Sequence, residues 1–146
     1  MTQIPPKSLV LYADDDRDDL MLVRDSFLKY SSNVRLVTVH DGVEAMDFLR
    51  HLDPGDPLPC LIILDMNMPR LSGKDVLIAL RRMEGYEDVP VILFTTSSMP
   101  SDKAFAQKHS AGYITKPLNA RQMEFIIDQF IDHCTEEVRK QIRRKD

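Results

Sequence analysis

Five short apolar runs alternate with longer amphipathic stretches along the chain, and this alternation constrains the fold more than any other feature. The runs are SLVLYA (8–13), VRLVTVH (34–40), CLIILD (60–65), PVILFTT (90–96) and YIT (113–115). They are short, rich in Val, Ile and Leu, and bounded by turn residues, which predicts strands. Between them Leu20, Val23, Phe27 and Tyr30 keep helical spacing, as do Val43, Met46 and Leu49, and then Val76, Leu77, Leu80 and Met83. Each gap therefore holds a crossover helix. Ser72 followed by Asp75 is a capping-box pattern ahead of the third helix, and Asn119 with Gln122 repeats it ahead of the last. The stripe Met123, Ile126, Ile127, Phe130, Cys134 and Val138 predicts one long final helix, about 119–143, fading into the basic RKQIRRKD. Strands apolar on both faces imply a parallel sheet covered by helices on either side, with right-handed crossovers. The expectation is a five-stranded, doubly wound α/β domain. The Pro-rich loop HLDPGDPLP (51–59) is longer than such a link requires and is expected on the surface.

At 146 residues the chain is the size of one domain, expected to span 1–146 without internal repeat or low-complexity tract. It is 43% hydrophobic and 29% charged, and no apolar segment approaches the roughly 18 residues of a membrane span. The opening MTQIPPKS has no apolar h-region, and Cys60 and Cys134 lie far apart in sequence. Both facts fit a reducing, cytoplasmic home. A net charge of −4 argues mildly against nucleic acid as a partner.

In an open parallel sheet the carboxyl ends of the strands form the ligand-binding crevice, so the residues that end each strand carry the functional information. The first strand ends in Asp14, Asp15 and Asp16, the third in Asp65, the fourth in Thr95 and Thr96, and the fifth in Lys116 and Pro117. Crowded carboxylates repel one another, and a divalent cation keeps them ionised; an oxygen-only ligand set favours Mg²⁺. His and Cys are absent from this edge, which argues against zinc. A lysine and a hydroxyl beside metal-bound carboxylates suit a phosphoryl group, and aspartate can itself be the nucleophile.

DDD after the first strand, LDMNMP after the third, FTTSS after the fourth and YITKP at the fifth together resemble the receiver domain of two-component response regulators, over about residues 8–133. The resemblance implies a flavodoxin-like sheet of order 2-1-3-4-5. It implies that Asp65 is the phosphoacceptor, that Asp14 and Asp15 bind Mg²⁺ with Asp65, and that Asn67 lends its backbone carbonyl to the metal. Thr95 resembles the hydroxyl that turns toward the phosphoryl group, Lys116 the ammonium that ties to it, and Tyr113 the aromatic that follows the threonine. Pro117 resembles the proline whose preceding peptide bond is often cis in the family. Two positions depart from the pattern. Thr96 stands where many receivers have Ala or Gly, and His109 where the family usually has Gly, which leaves the end of the fourth helix open. The TTSS run and the Pro-rich loop look most like single-domain regulators found with phytochrome-type sensor kinases.

Other residues read more plainly. Asp16, Asp18 and Asp19 suit a helix start, Cys60 and Cys134 small buried hydrophobes, and the basic tail a helix C-terminus, with Glu136 and Lys140 paired. His40, His51, His109 and His133 show no ligand spacing. A rival function is an Mg²⁺-dependent phosphatase with an aspartyl nucleophile, but such enzymes typically need a second carboxylate where this chain has Asn67. A pseudo-receiver is the other rival, and it would lack Asp65 or Lys116. The reading is thus a phosphorylation switch that catalyses only its own phosphorylation and dephosphorylation. Its input is a histidine kinase or phosphotransfer protein. Its output is a protein target or a second copy, bound through the fourth helix, fifth strand and last helix, with no nucleic acid and no membrane.

Overall fold

A computed structural model describes residues 7–53, 55–116 and 119–143. The apolar runs form β1 (Ser8–Ala13), β2 (Val34–Val39), β3 (Leu61–Leu64), β4 (Val91–Thr95) and β5 (Gly112–Thr115), each within two residues of its predicted limits. All neighbours pair in parallel, in the order β2-β1-β3-β4-β5. The helices that follow the first four strands are α1 (Arg17–Tyr30), α2 (Gly42–Arg50), α3 (Gly73–Arg81) and α4 (Pro100–Lys108).

Alternation along the central strands builds two cores. Leu11, Ala13, Ile62, Leu64, Val91 and Leu93 face Met46, Leu49, Val76, Leu77 and Leu80 of α2 and α3 on one side. Val10, Tyr12, Leu61, Ile63, Ile92 and Phe94 face α1 and the C-terminal helices on the other. On that second side Phe130 stacks on Phe27 and meets Phe94 edge-on, with ring centroids 6.2 and 5.0 Å apart. Truncating such a buried aromatic typically costs about 3–5 kcal/mol. Ser72 and Asp75 close the capping box predicted for α3.

The final helix differs from expectation. It is two helices, α5 (Met123–Asp132) and α6 (Glu136–Ile142). Thr135 takes an extended conformation and its hydroxyl accepts the Val138 N–H, so a new helix starts where the apolar stripe had suggested continuation. α6 folds back onto the sheet, burying Ile142, while Ser31 Oγ donates to the Ile142 carbonyl. Asn119 Oδ1 does accept the Gln122 N–H, but within a turn that precedes α5 rather than as its cap. Met83 likewise lies past the end of α3, in a turn closed onto Leu80.

At the end of α4 the left-handed residue is Ser110 (φ 56°), one position after His109 (φ −101°). The Ala111 N–H reaches Ala106 and the Ser110 N–H reaches Gln107, a Schellman closure completed without glycine. Arg143 is more than a cation at a helix end: its guanidinium meets Tyr30, Asp128 and Asp132, tying α6 to α1 and α5. Glu136 and Lys140 pair at 3.3 Å on the exposed face. The described part of the 51–59 loop is exposed apart from half-buried Leu52 and buried Pro59. Among the described residues no helix is long and apolar enough to cross a membrane.

Candidate functional site

Three site residues each extend the strand ladder by one hydrogen bond beyond a strand end. The Asp14 N–H donates to Val39, the Asp65 N–H to Ala13 and the Lys116 N–H to Thr95. Their side chains therefore leave a rigid sheet at its carboxyl edge. Carboxylate oxygens of Asp14, Asp15 and Asp65 lie within 4.8 Å of one another. Asp14 is fully buried, Asp65 is 7% exposed, and Asp15 opens to solvent.

Hydrogen bonds orient each acid. Asp14 accepts the Tyr12 hydroxyl, the Asp16 N–H at 3.0 Å and the Lys116 ammonium at 2.8 Å. The Asn67 N–H approaches Asp65 Oδ1 at 3.3 Å. Burial pushes the Asp65 carboxyl up to about 7; Lys116 opposes the shift, while the charge of Asp14 and a hydrogen bond shared with it add to it. Burial, then the neighbouring Asp14, also raises the Tyr12 phenol above its ordinary value. For Lys116 burial acts downward, but its bonds to Asp14 and Asp19 outweigh it and the ammonium is held above its usual range. The Lys116 side chain is only 6% exposed, and it sits 2.8 Å from Asp14 and Asp19 but 3.8 Å from Asp65.

The sequence places Asp19 only at a helix start, and here the structure differs. Asp16 is the N-cap of α1, accepting from Asp18 and Asp19, and the Asp19 carboxylate then crosses to Lys116. No sequence signal links a first-turn acid of α1 to a lysine after β5; only the folded sheet edge brings them together.

The loop after β3 is shaped from two sides. Met66 and Met68 bury into the core, while Arg70 takes φ 67° and its guanidinium binds the Asp41 carboxylate at 2.8 Å. Asp41 is also the N-cap of α2. A side chain at Gly73 would stand 2.2 Å from the Asp65 carbonyl oxygen, so α3 starts against the acid's own backbone. Thr95 is fully buried, and its hydroxyl oxygen accepts the Ser97 N–H at 3.2 Å. Half-buried Tyr113 donates its hydroxyl to the Ser97 carbonyl. Ser97 Oγ donates to Asp102, which Lys74 of α3 approaches at 2.6 Å, so Ser97, in the loop after β4, ties Thr95, Tyr113 and the start of α4 together. Thr96 is exposed beside it. Pro117 lies outside the described residues.

The structure thus brings Asp14, Asp15, Asp65 and Lys116 together, sets Asn67 beside Asp65, and joins Thr95 to Tyr113 through Ser97. Hard oxygen donors with an open side suit a divalent cation that keeps several waters, and such a charge would return Asp65 to its ionised form.

With this site on a 2-1-3-4-5 sheet, the chain belongs to the response regulator receiver domain family, whose family model matches residues 10–128. It is a receiver of two-component signalling with the flavodoxin-like fold. Among curated relatives, the response regulator Rcp1 of Synechocystis sp. is 31% identical over 82% of each chain. Among solved structures, the phosphorylated cyanobacterial phytochrome response regulator RcpA superposes with a TM-score of 0.77 at 26% identity, covering 88% of this chain and 97% of that one. The Mn(2+)-bound form of Rcp1 gives 0.73 at 28% identity, covering 84% and 90%.

Proposed function

We propose that this chain is a stand-alone response regulator that accepts a phosphoryl group on Asp65 from a sensor histidine kinase or phosphotransfer protein. The observation that carries the reading is the cluster of Asp14, Asp15 and Asp65 around one edge with Lys116 beside it. Asp65 attacks phosphorus with a carboxylate oxygen, the phosphorus–nitrogen bond of the donor histidine breaks, and the imidazole keeps the electron pair. Asp14, Asp15, Asp65 and the Asn67 carbonyl would hold Mg²⁺, which would supply positive charge beside the phosphoryl oxygens. Lys116 is placed to exchange its bonds with Asp14 and Asp19 for the arriving anion, and Asp19 steadies it meanwhile. The Mn(2+)-bound form of the relative Rcp1 supports a divalent cation here.

The whole chain, 1–146, acts as one receiver with a core of about 8–133, in the cytoplasm, and catalyses only its own phosphorylation and dephosphorylation. A relative described as a phytochrome response regulator supports a phytochrome-type kinase as the input. The output is a change in affinity. Thr95 accepts the Ser97 N–H and Tyr113 is bonded to the same residue, so a turn of the Thr95 hydroxyl toward a phosphoryl oxygen would be felt at Ser97 and Tyr113. The face of α4, β5 and α5 is therefore where a protein target or second copy binds. A net charge of −4 supports a protein rather than nucleic acid as the partner.

Radiolabelled acetyl phosphate with Mg²⁺ tests the reading. Wild type takes up label, and EDTA or Asp65→Asn abolishes it. Equal labelling of the variant sinks the assignment.

A further inference from the structure

Asp14 is held by two side chains of different character. Its Oδ2 accepts both the Tyr12 hydroxyl at 2.5 Å and the Lys116 ammonium at 2.8 Å, while the Asp16 N–H meets its Oδ1 at 3.0 Å. The strand period of two sends Tyr12 and Asp14 to the same face of the sheet, which is how the phenol comes to lie under the acid.

Tyr12 is the fixed partner. It lies inside β1, in register with Thr38 of β2 and Ile63 of β3, and is fully buried. Its ring belongs to the apolar cluster on the α1/α5 side, 6.4 Å from Phe94, and its hydroxyl is the part that reaches the acids. Burying a phenol is unfavourable unless its O–H is bonded, and a carboxylate acceptor gives one of the stronger bonds available. Packing needs only the ring; the hydroxyl serves Asp14. Lys116 is the movable partner. Its ammonium rides on a flexible alkyl stem, 5.4 Å from the centre of the Phe94 ring, and divides itself between Asp14 and Asp19, with Asp65 3.8 Å away.

We propose that Tyr12 is a positioning residue for the metal site, keeping the Asp14 carboxylate turned toward Asp15 and Asp65 when Lys116 leaves it for a phosphoryl oxygen. The destination of Lys116 rests on the phosphoryl-acceptor reading above, but the hold of Tyr12 on Asp14 needs no phosphate. With Lys116 in place Oδ2 has two donors, and loss of either leaves the other. Once the ammonium has gone, the phenol alone holds Oδ2. Without the phenol too, only the Asp16 N–H of these three donors would remain, and the carboxylate would be free to swing out of the cluster. Because the phenol is neutral, it orients the acid without cancelling the charge that attracts a divalent cation.

Magnesium titration of the full-length protein, followed by amide chemical shifts, tests this without any phosphodonor. Tyr12→Phe keeps the ring and removes the hydroxyl. Lys116→Met keeps an unbranched apolar stem and removes the ammonium, standing in for its departure. In the wild-type background, Tyr12→Phe should change the Mg²⁺ dissociation constant less than about twofold, because Lys116 still holds Asp14. In the Lys116→Met background the same change should weaken Mg²⁺ binding about tenfold, the size of one hydrogen bond to a charged group. A role in packing alone would give the same result in both backgrounds. An effect no larger with Lys116→Met than without it therefore overturns the proposal. Should the double variant not fold, beryllofluoride makes the same comparison with Lys116 intact: Tyr12→Phe should bind Mg²⁺ as wild type does but beryllofluoride about tenfold more weakly, and equal beryllofluoride affinity overturns the proposal. Wild type that binds Mg²⁺ but takes no label on Asp65 would count against the phosphoryl-acceptor reading, while the two-background titration still decides the role of Tyr12.

Discussion

Asp65 is an aspartate that sits at the end of an apolar strand, beside another buried acid, where its charge is costly. Its carboxyl is pushed up to about 7, chiefly by burial and then by Asp14 against the pull of Lys116. The role proposed for Asp65 and the stability of the fold are therefore opposed at this residue. In EDTA, Asp65→Asn removes one of the crowded like charges and should raise the unfolding midpoint, by about 1 kcal/mol or roughly 3 °C. A calorimetric midpoint that falls would show that the acids are already relieved in another way. Lys116 illustrates the converse. It was legible as a strand-end lysine, but its partner Asp19 was not, because a contact between the first turn of α1 and the end of β5 exists only after the sheet has formed. Sequence shows which residues reach an edge, and tertiary structure decides which of them touch.

Strands were legible because central parallel strands are buried on both faces, so β1, β3 and β4 read as unbroken apolar runs. The C-terminal helices were not. Cys134 and Val138 continue the apolar period of α5, and periodicity cannot tell one straight helix from two that pack on the same cluster. Thr135 followed by Glu136 and Glu137 was the available start signal. The reversal is fixed by Arg143, whose bonds join Tyr30, Asp128 and Asp132. Asp128 is held below the usual carboxylate range by the Tyr30 hydroxyl first and by Arg143 as well. A depressed carboxyl stabilises the fold above its unfolded pKa and loses that contribution as pH falls through the folded value. Stability from this clamp should hold through neutral pH and fade below about pH 4. Because the groups are partly exposed, the loss is about 1 kcal/mol or less. Hydrogen exchange of the α6 amides at pH 6 and pH 3.5, compared between wild type and Arg143→Ala, measures it. Acid should loosen α6 in wild type and change the variant less; an equal response in both would place the sensitive group elsewhere.

At the scale of the whole molecule one loop links Thr95 and Tyr113 to the start of α4. Ser97 gives its N–H to Thr95, its carbonyl to Tyr113 and its hydroxyl to Asp102 of α4, so the three cannot rearrange independently. A ligand shifts such an equilibrium only through its different affinity for the two arrangements. Beryllofluoride with Mg²⁺, standing in for an acyl phosphate, should change hydrogen exchange over residues 97–116 and α5. Thr95→Ala should shrink that change while leaving Asp65 able to accept phosphate. Protection changes confined to α1 and α2 would contradict this route.

The central claim is that Asp65 alone carries the phosphoryl group, and site mapping tests it most directly. After reaction with acetyl phosphate and Mg²⁺, borohydride reduces an aspartyl phosphate to homoserine, which peptide mass spectrometry locates. We predict homoserine at position 65 and unmodified aspartate at 14, 15 and 19. Homoserine at any of those three, with residue 65 intact, would contradict the account.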